Sequence, residues 1–312
     1  MQLSDAAKQE MRLAFERCRA VISNFPAPYA GAGILYLNRF DPDLRIGSTN
    51  YICLLLPYWL QQAAEASTET CRKLADANVF GMLHFHLQDE RIDRAAGSGR
   101  THIALSQLLN AEMNIRYASL FSSSSSFGEA LRLCTAEWAS GLAAEREPRL
   151  LFEQPQAIAA RSAPLLLGPL VLFEDNESWR RRALHAVRET LVTLQMADDW
   201  ADYVEDLREG SANCLVSFYR REYAVPEEVP VTAAEIDDAV YVRGLLGPYA
   251  EFAAGRQREL EAYREDFPGL IDFHAALAGD LERIAAGIEQ EKNSLSLGGF
   301  NYWLLGREEP RS

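Results

Sequence analysis

Leu191-Val192-Thr193-Leu194-Gln195-Met196-Ala197-Asp198-Asp199-Trp200-Ala201-Asp202-Tyr203-Val204-Glu205-Asp206-Leu207 carries a charge pattern that an isolated helix disfavours. Asp198, Asp202 and Asp206 stand at i, i+4 and i+8. At roughly 100° per residue they drift only about 80° around a helix and cover about 12 Å of its length. Asp199 adjoins Asp198, and the five acids from Asp198 to Asp206 have no Lys or Arg among them. Like charges four residues apart repel and destabilise a helix. A solvated acidic face is the ordinary explanation of an acidic run. Here the phase argues otherwise, because Leu191, Leu194 and Gln195 lead onto Asp198 and Asp202 along the stripe expected to face the core. Carboxylates turned inward need cations, and hard oxygen donors suit Mg²⁺.

A second cluster lies about a hundred residues earlier, in Phe80-Gly81-Met82-Leu83-His84-Phe85-His86-Leu87-Gln88-Asp89-Glu90-Arg91-Ile92-Asp93-Arg94. Asp89 and Asp93 are again four apart, Glu90 is adjacent, and the stripe runs back through Met82 and His86. Arg91 and Arg94 leave open an ordinary salt-bridged helix end. Two inward acidic clusters on separate helices are a stronger signal than either alone. Diphosphate is a poor leaving group until its oxygens are neutralised, and metal ions held by carboxylates can grip it, orient it and stabilise the departing anion. The organic half then becomes an allylic cation, which requires an apolar, aromatic, water-free cavity.

The remainder of the 312 residues supports a helical enzyme. Apolar residues recur at helical spacing over Ser4–Phe25, Tyr51–Ala95, Ser106–Leu120, Phe127–Arg146, Pro155–Phe173, Ser178–Leu207, Ala233–Phe267 and Leu270–Asn293. Strand alternation and hairpin dipeptides are nearly absent. Breaks fall at Phe25–Pro28, Gly97–Gly99, the serine run Ser122–Ser126 (read as a loop), Glu174–Asn176 and Val225–Pro230. Asn176 and Thr232 read as helix starts. These features predict one all-α domain over 1–312, with its core at about 50–300.

The net charge of −14 argues against nucleic acid or an anionic membrane surface as partner. Divalent ions can still reverse the sign locally and admit a polyanion. Five scattered cysteines with no C-x-x-C pair point to buried free thiols and not to zinc. Met1–Arg17 shows no signal-peptide pattern, and the apolar run Leu165–Phe173 is too short to span a bilayer. The expectation is a cytoplasmic protein.

Gln195-Met196-Ala197-Asp198-Asp199-Trp200-Ala201-Asp202-Tyr203-Val204-Glu205-Asp206 resembles the second aspartate-rich motif of the class I isoprenoid synthases, the trans-prenyltransferases and class I terpene cyclases. Asp89-Glu90-Arg91-Ile92-Asp93 resembles their first motif, D-D-x-x-D, with Glu in second place. Arg161-Ser162-Ala163 looks like their Lys-Thr-Gly turn, with Arg for Lys, 37 residues before Asp198. The likeness runs from about residue 50 to 220. It implies a single antiparallel helical barrel with both clusters at one mouth, three Mg²⁺ ions, a linear prenyl diphosphate substrate, and the homodimer usual in the family.

By that resemblance Asp89, Glu90 and Asp93 bind metal on one wall and Asp198, Asp202 and Asp206 on the other. Asp199 belongs to the same metal set, as ligand, support or bridge to an arginine. Arg161 holds diphosphate, Gln195 contacts diphosphate or supports the cluster, and Arg208 is the nearest cation after the second motif. The Gly-Gly-Lys-x-x-Arg elongation signature is missing; Asp43–Gly47 is a poor substitute, and Gly210-Ser211-Ala212-Asn213 replaces a basic segment. These departures favour a terpene cyclase. A prenyltransferase with another acceptor and a catalytically silent partner subunit are the alternatives. Phe85 is a cavity-floor or core residue. Trp138, Phe173, Trp200, Phe218, Tyr302 and Trp303 are cavity aromatics or plain core, and His84 and His86 take core or supporting roles.

Overall fold

Pro57 removes one helical hydrogen bond from the middle of the helix Tyr51–Leu60, and the way that loss is repaired shows how the centre of the fold is built. Proline has no N–H to offer the carbonyl four residues earlier. That carbonyl, on Cys53, instead accepts the side-chain amide of buried Asn78 at 2.8 Å, and the Tyr117 hydroxyl donates to Asn78 in turn.

The structure, a computed structural model, describes residues 3–44, 50–93, 100–144, 152 and 155–305, without side chains at 91–93 and 297–305. Every regular element among the described residues is helical. The α-helices are α1 (Asp5–Ile22), α2 (Tyr29–Asn38), α3 (Tyr51–Leu60), α4 (Thr68–Asp93), α5 (Arg100–Ala118), α6 (Ser124–Ala144), α7 (Leu167–Leu172), α8 (Glu177–Glu209), α9 (Cys214–Glu222), α10 (Ala233–Asp237), α11 (Leu246–Leu260) and α12 (Pro268–Leu305). Short 3-10 turns cover Pro155–Ala157, Ala160–Leu166 and Glu261–Tyr263, and a π-helical turn spans Asp238–Val242. No helix is long and apolar enough to cross a membrane, among the described residues.

The chain divides into two compact units. The first comprises Met1–Leu142, Ala159–Arg188 and Tyr263–Asp272. Its centre is α4, which packs on α1, α3 and α5 and buries Leu74, Val79, Phe80, Leu83 and Leu87. Each such side chain contributes about 1.5–3 kcal/mol on burial. Ser4 caps α1 by accepting the Ala7 amide, and Met11, Ala14, Phe15, Cys18 and Ile22 then bury one helical stripe.

The second unit comprises Ala143–Ile158, Glu189–Ala262 and Phe273–Ser312. Met196, Phe218 and Tyr249 are buried there, with Phe152 against Phe218 and Tyr249. His274, wholly buried, lies between the Thr193 hydroxyl at 2.8 Å and the Gln257 side-chain oxygen at 2.6 Å. That pairing suits a neutral ring that donates from Nδ1 and accepts at Nε2.

Several sequence expectations are modified. The stretch Tyr51–Ala95 forms two helices, α3 and α4, separated at residues 61–67, where Glu65 has a φ of 49°. The serine run is only partly loop, since α6 begins at Ser124 with Ser123 accepting the Ser126 amide. Pro155–Ala157 and Ala160–Leu166 are 3-10 turns; Pro164 has no N–H to extend a helical ladder. Helices α2 and α9 were not anticipated.

Candidate functional site

The last turns of α4 carry the first acidic cluster. Asp89 lies 3.0 Å from the guanidinium of Arg161, with both side chains about one quarter exposed. Arg161 reaches it from the 3-10 turn that follows Ala159, whose backbone rests on Gly141 of α6: a Cβ at Gly141 would meet the Ala160 Cβ at 2.8 Å and the Arg161 nitrogen at 3.1 Å. The missing side chain at Gly141 therefore sets how closely this turn approaches α6. Glu90 is engaged elsewhere. It pairs with Arg39 at 2.7 Å and accepts the Tyr36 hydroxyl at 3.3 Å, while the Arg39 guanidinium lies over the Tyr36 ring. Burial and the Glu90 charge hold the Tyr36 phenol well above its ordinary range. The backbone of Asp93 completes α4, and its side chain lies outside the described residues.

Around this cluster, His84 donates from Nδ1 to the Ser106 carbonyl at 2.9 Å, and His86 lies against Phe40. Burial keeps both imidazoles below their usual pKa. Phe85 packs against His84 and Trp138, at ring separations of 4.8 and 5.4 Å.

Helix α8 carries the second cluster over Gln195–Asp206. Asp199 is its anchor, 7% exposed, with one carboxylate oxygen accepting Gln195 Nε2 and the other the Cys214 amide, both at 2.6 Å. Desolvation raises the Asp199 pKa and these hydrogen bonds pull it back. Asp206 accepts the Asn213 amide at 2.7 Å. Tyr249 donates to the Met196 carbonyl at 2.8 Å beneath this span. Asp198 and Asp202, expected on the stripe that faces the core, instead lie exposed. Desolvation pushes the Asp198 pKa up to about 7, with Asp199 and Asp202 adding repulsion. Solvent at the exposed side of Asp198 screens part of that effect.

Gln195 is thus hydrogen-bonded to Asp199 within the cluster. Arg208 is exposed and paired with Glu205 and Glu209. Trp200 stacks on Tyr203, Phe173 on Trp179, and Phe218 packs on Phe152. The side chains of Tyr302 and Trp303 lie outside the described residues. Sequence reasoning missed Tyr36, Arg39, Asn213 and Cys214. A polar residue before the apolar run Cys214-Leu215-Val216 was the available signal for Asn213 as a helix cap. Nothing local connects Arg39 with Glu90.

No group of three or more His, Cys, Asp or Glu is arranged to hold a metal ion by itself among the described residues. The donor set nevertheless suits Mg²⁺, which binds through one or two carboxylates with water and substrate phosphate completing its shell. Asp198 and Asp202 offer hard oxygens on neighbouring turns, exposed to solvent, with a mutual repulsion that a cation would relieve.

No family model matches the chain, and no curated protein does. A solved geranylgeranyl pyrophosphate synthetase from the archaeon Geoglobus acetivorans is similar in structure, with a TM-score of 0.60 and 14% identity over 89% of this chain and 99% of that one. The expected all-α isoprenoid synthase fold is the one observed.

Proposed function

We propose that this chain is a magnesium-dependent enzyme that ionises a linear allylic prenyl diphosphate, releases diphosphate, and directs the resulting cation to a cyclic or eliminated terpene. The observation that carries this reading is the exposed, mutually repelling pair Asp198 and Asp202 on a helix whose neighbouring Asp199 is anchored by Gln195 and Cys214.

In this reading Asp198, Asp202 and Asp206 bind metal from α8, and Asp89 and Asp93 bind metal from α4. Asp199 supports the α8 cluster instead of ligating, since its carboxylate oxygens are engaged. Glu90 is left out of the ligand set because Arg39 and Tyr36 hold it. Bound Mg²⁺ would neutralise diphosphate oxygens and so make diphosphate a competent leaving group. Arg161 supplies a permanent positive charge for diphosphate, exchanging Asp89 for it. After the C–O bond breaks, loss of a proton from the cation gives a neutral hydrocarbon. In this reading residues 1–312 act as one isoprenoid-synthase-like domain in the cytoplasm, and the homodimer is what the family resemblance implies.

Release without a second substrate is favoured by residues 210–213. They carry no cation, and Asn213 is turned onto Asp206. The second reading, a prenyltransferase joining the allylic group to an acceptor, is favoured by the likeness to a geranylgeranyl pyrophosphate synthetase. The test is to supply geranyl, farnesyl, geranylgeranyl and longer diphosphates singly and identify hexane-extractable products by mass spectrometry. A hydrocarbon formed from one substrate establishes the cyclase or eliminase. Products that form only after isopentenyl diphosphate or another acceptor is added establish the transferase.

A further inference from the structure

Asn213 is 3% exposed, and its side chain makes four hydrogen bonds. Its amide nitrogen donates to the Asp199 backbone carbonyl and to the Asp206 carboxylate, each at 2.7 Å. Its side-chain oxygen accepts the Leu215 and Val216 amides at 2.9 and 3.2 Å, capping α9. Two donors and two lone pairs exhaust what a primary amide can offer. The next residue extends the tie, because the Cys214 amide donates to the Asp199 carboxylate at 2.6 Å.

We propose that Asn213 is a positioning residue that fixes the Asp206 carboxylate, and with Cys214 braces α8 across Asp199–Asp206, for metal binding. This inference rests on the magnesium reading above. Asp199 and Asp206 are two turns apart, about 10 Å along the helix. A helical carbonyl points toward the C-terminus while a side chain leans toward the N-terminus, so one amide can reach both. The acids within that span repel one another at i,i+4 spacing and loosen the helix. Bonds from the α9 cap at both ends of the span oppose that loosening. They also hold Asp206 in one rotamer before any cation arrives, which reduces the ordering required when metal binds. The helix-capping residues aspartate and serine serve less well. Aspartate would cap α9 and place a second negative charge against Asp206. Serine would cap α9 but is shorter and has a single donor.

The test uses the full chain with Mn²⁺ and inorganic pyrophosphate, reading bound metal by electron paramagnetic resonance and helicity by circular dichroism. Asn213→Asp and Asn213→Ser both retain an α9 cap, and Asp198→Ala serves as control. The expected result is an Mn²⁺ dissociation constant raised about 10–100-fold in both Asn213 variants at unchanged helicity, with binding lost in Asp198→Ala. Wild-type affinity in the Asn213 variants, with loss only in Asp198→Ala, overturns the positioning role and leaves the magnesium reading intact. Weaker binding with helicity lost well beyond the two turns of α8 between Asp199 and Asp206, in both variants, also overturns it, in favour of a purely structural cap. Absence of metal binding in the wild-type chain overturns both.

Discussion

The Arg161 guanidinium sits 3.0 Å from the Asp89 carboxylate. A cation that belongs to diphosphate in the proposed reaction is thus paired with a residue assigned to the metal. Removing one member of a half-buried pair leaves the other charge poorly compensated. Glu90, tied to Arg39 and Tyr36, is not part of that exchange.

The two adjacent acids should therefore separate on mutation. Asp89→Asn is expected to reduce turnover by at least 10²-fold, as loss of a metal ligand does, whereas Glu90→Gln should cost less than about tenfold. Steady-state diphosphate release measures both. The reverse order would mean that Glu90, and not Asp89, binds the metal.

Gly141→Ala tests the seat of Arg161. Alanine is favoured over glycine in a helix by about 1 kcal/mol. The new Cβ, however, would press on the Ala160 Cβ and the Arg161 backbone at 2.8–3.1 Å, and overpacking against a neighbour that cannot swing away costs about 1–3 kcal/mol. The contact is expected to win, lowering the urea midpoint and raising KM for the diphosphate substrate. A variant as stable as wild type would show that the turn moves freely.

Much of the architecture was legible because the long helices bury one stripe each, as α1 does through Met11, Phe15, Cys18 and Ile22. Two helices escaped. Glycines 31 and 33 and small alanines mask α2, whereas α9 is buried at every position from Cys214 to Tyr219, which erases its period. The acidic spacing on α8 could be read directly, because i,i+4 repetition is a local property. The bonds that orient those acids could not. Asn213 to Asp206 and Arg39 to Glu90 are tertiary pairings, and composition near either partner does not encode them.

His274 sets an acid limit on the fold. Burial, and to a smaller extent the Arg256 charge, push its pKa from the usual 6.5 down to about 4. Between those values the unfolded chain binds the extra proton and the folded chain does not, so stability falls as pH drops from about 6.5 to about 4. The loss is of order 3 kcal/mol at the low end. Denaturant melts of wild type and His274→Gln should diverge below pH 6. Parallel curves would show that the ring already protonates in the folded chain.

Asp198 works in the opposite direction. Its folded pKa is raised to about 7 from 3.8, so without metal this carboxylate subtracts stability as pH rises through that interval. Asp198→Asn should therefore melt higher than wild type at pH 8 in EDTA, with the gain disappearing below pH 4. A lower melting temperature at pH 8 would mean that the ionised carboxylate has a cationic partner in the folded chain.

The central claim is that carboxylate-held metal makes diphosphate leave. It is tested most directly by diphosphate release from single allylic substrates, comparing wild type with Asp198→Asn, each in Mg²⁺ and in EDTA. The account predicts release by wild type in Mg²⁺ alone, with none from Asp198→Asn and none in EDTA. Release that persists in EDTA, or that survives Asp198→Asn at the wild-type rate, would contradict it.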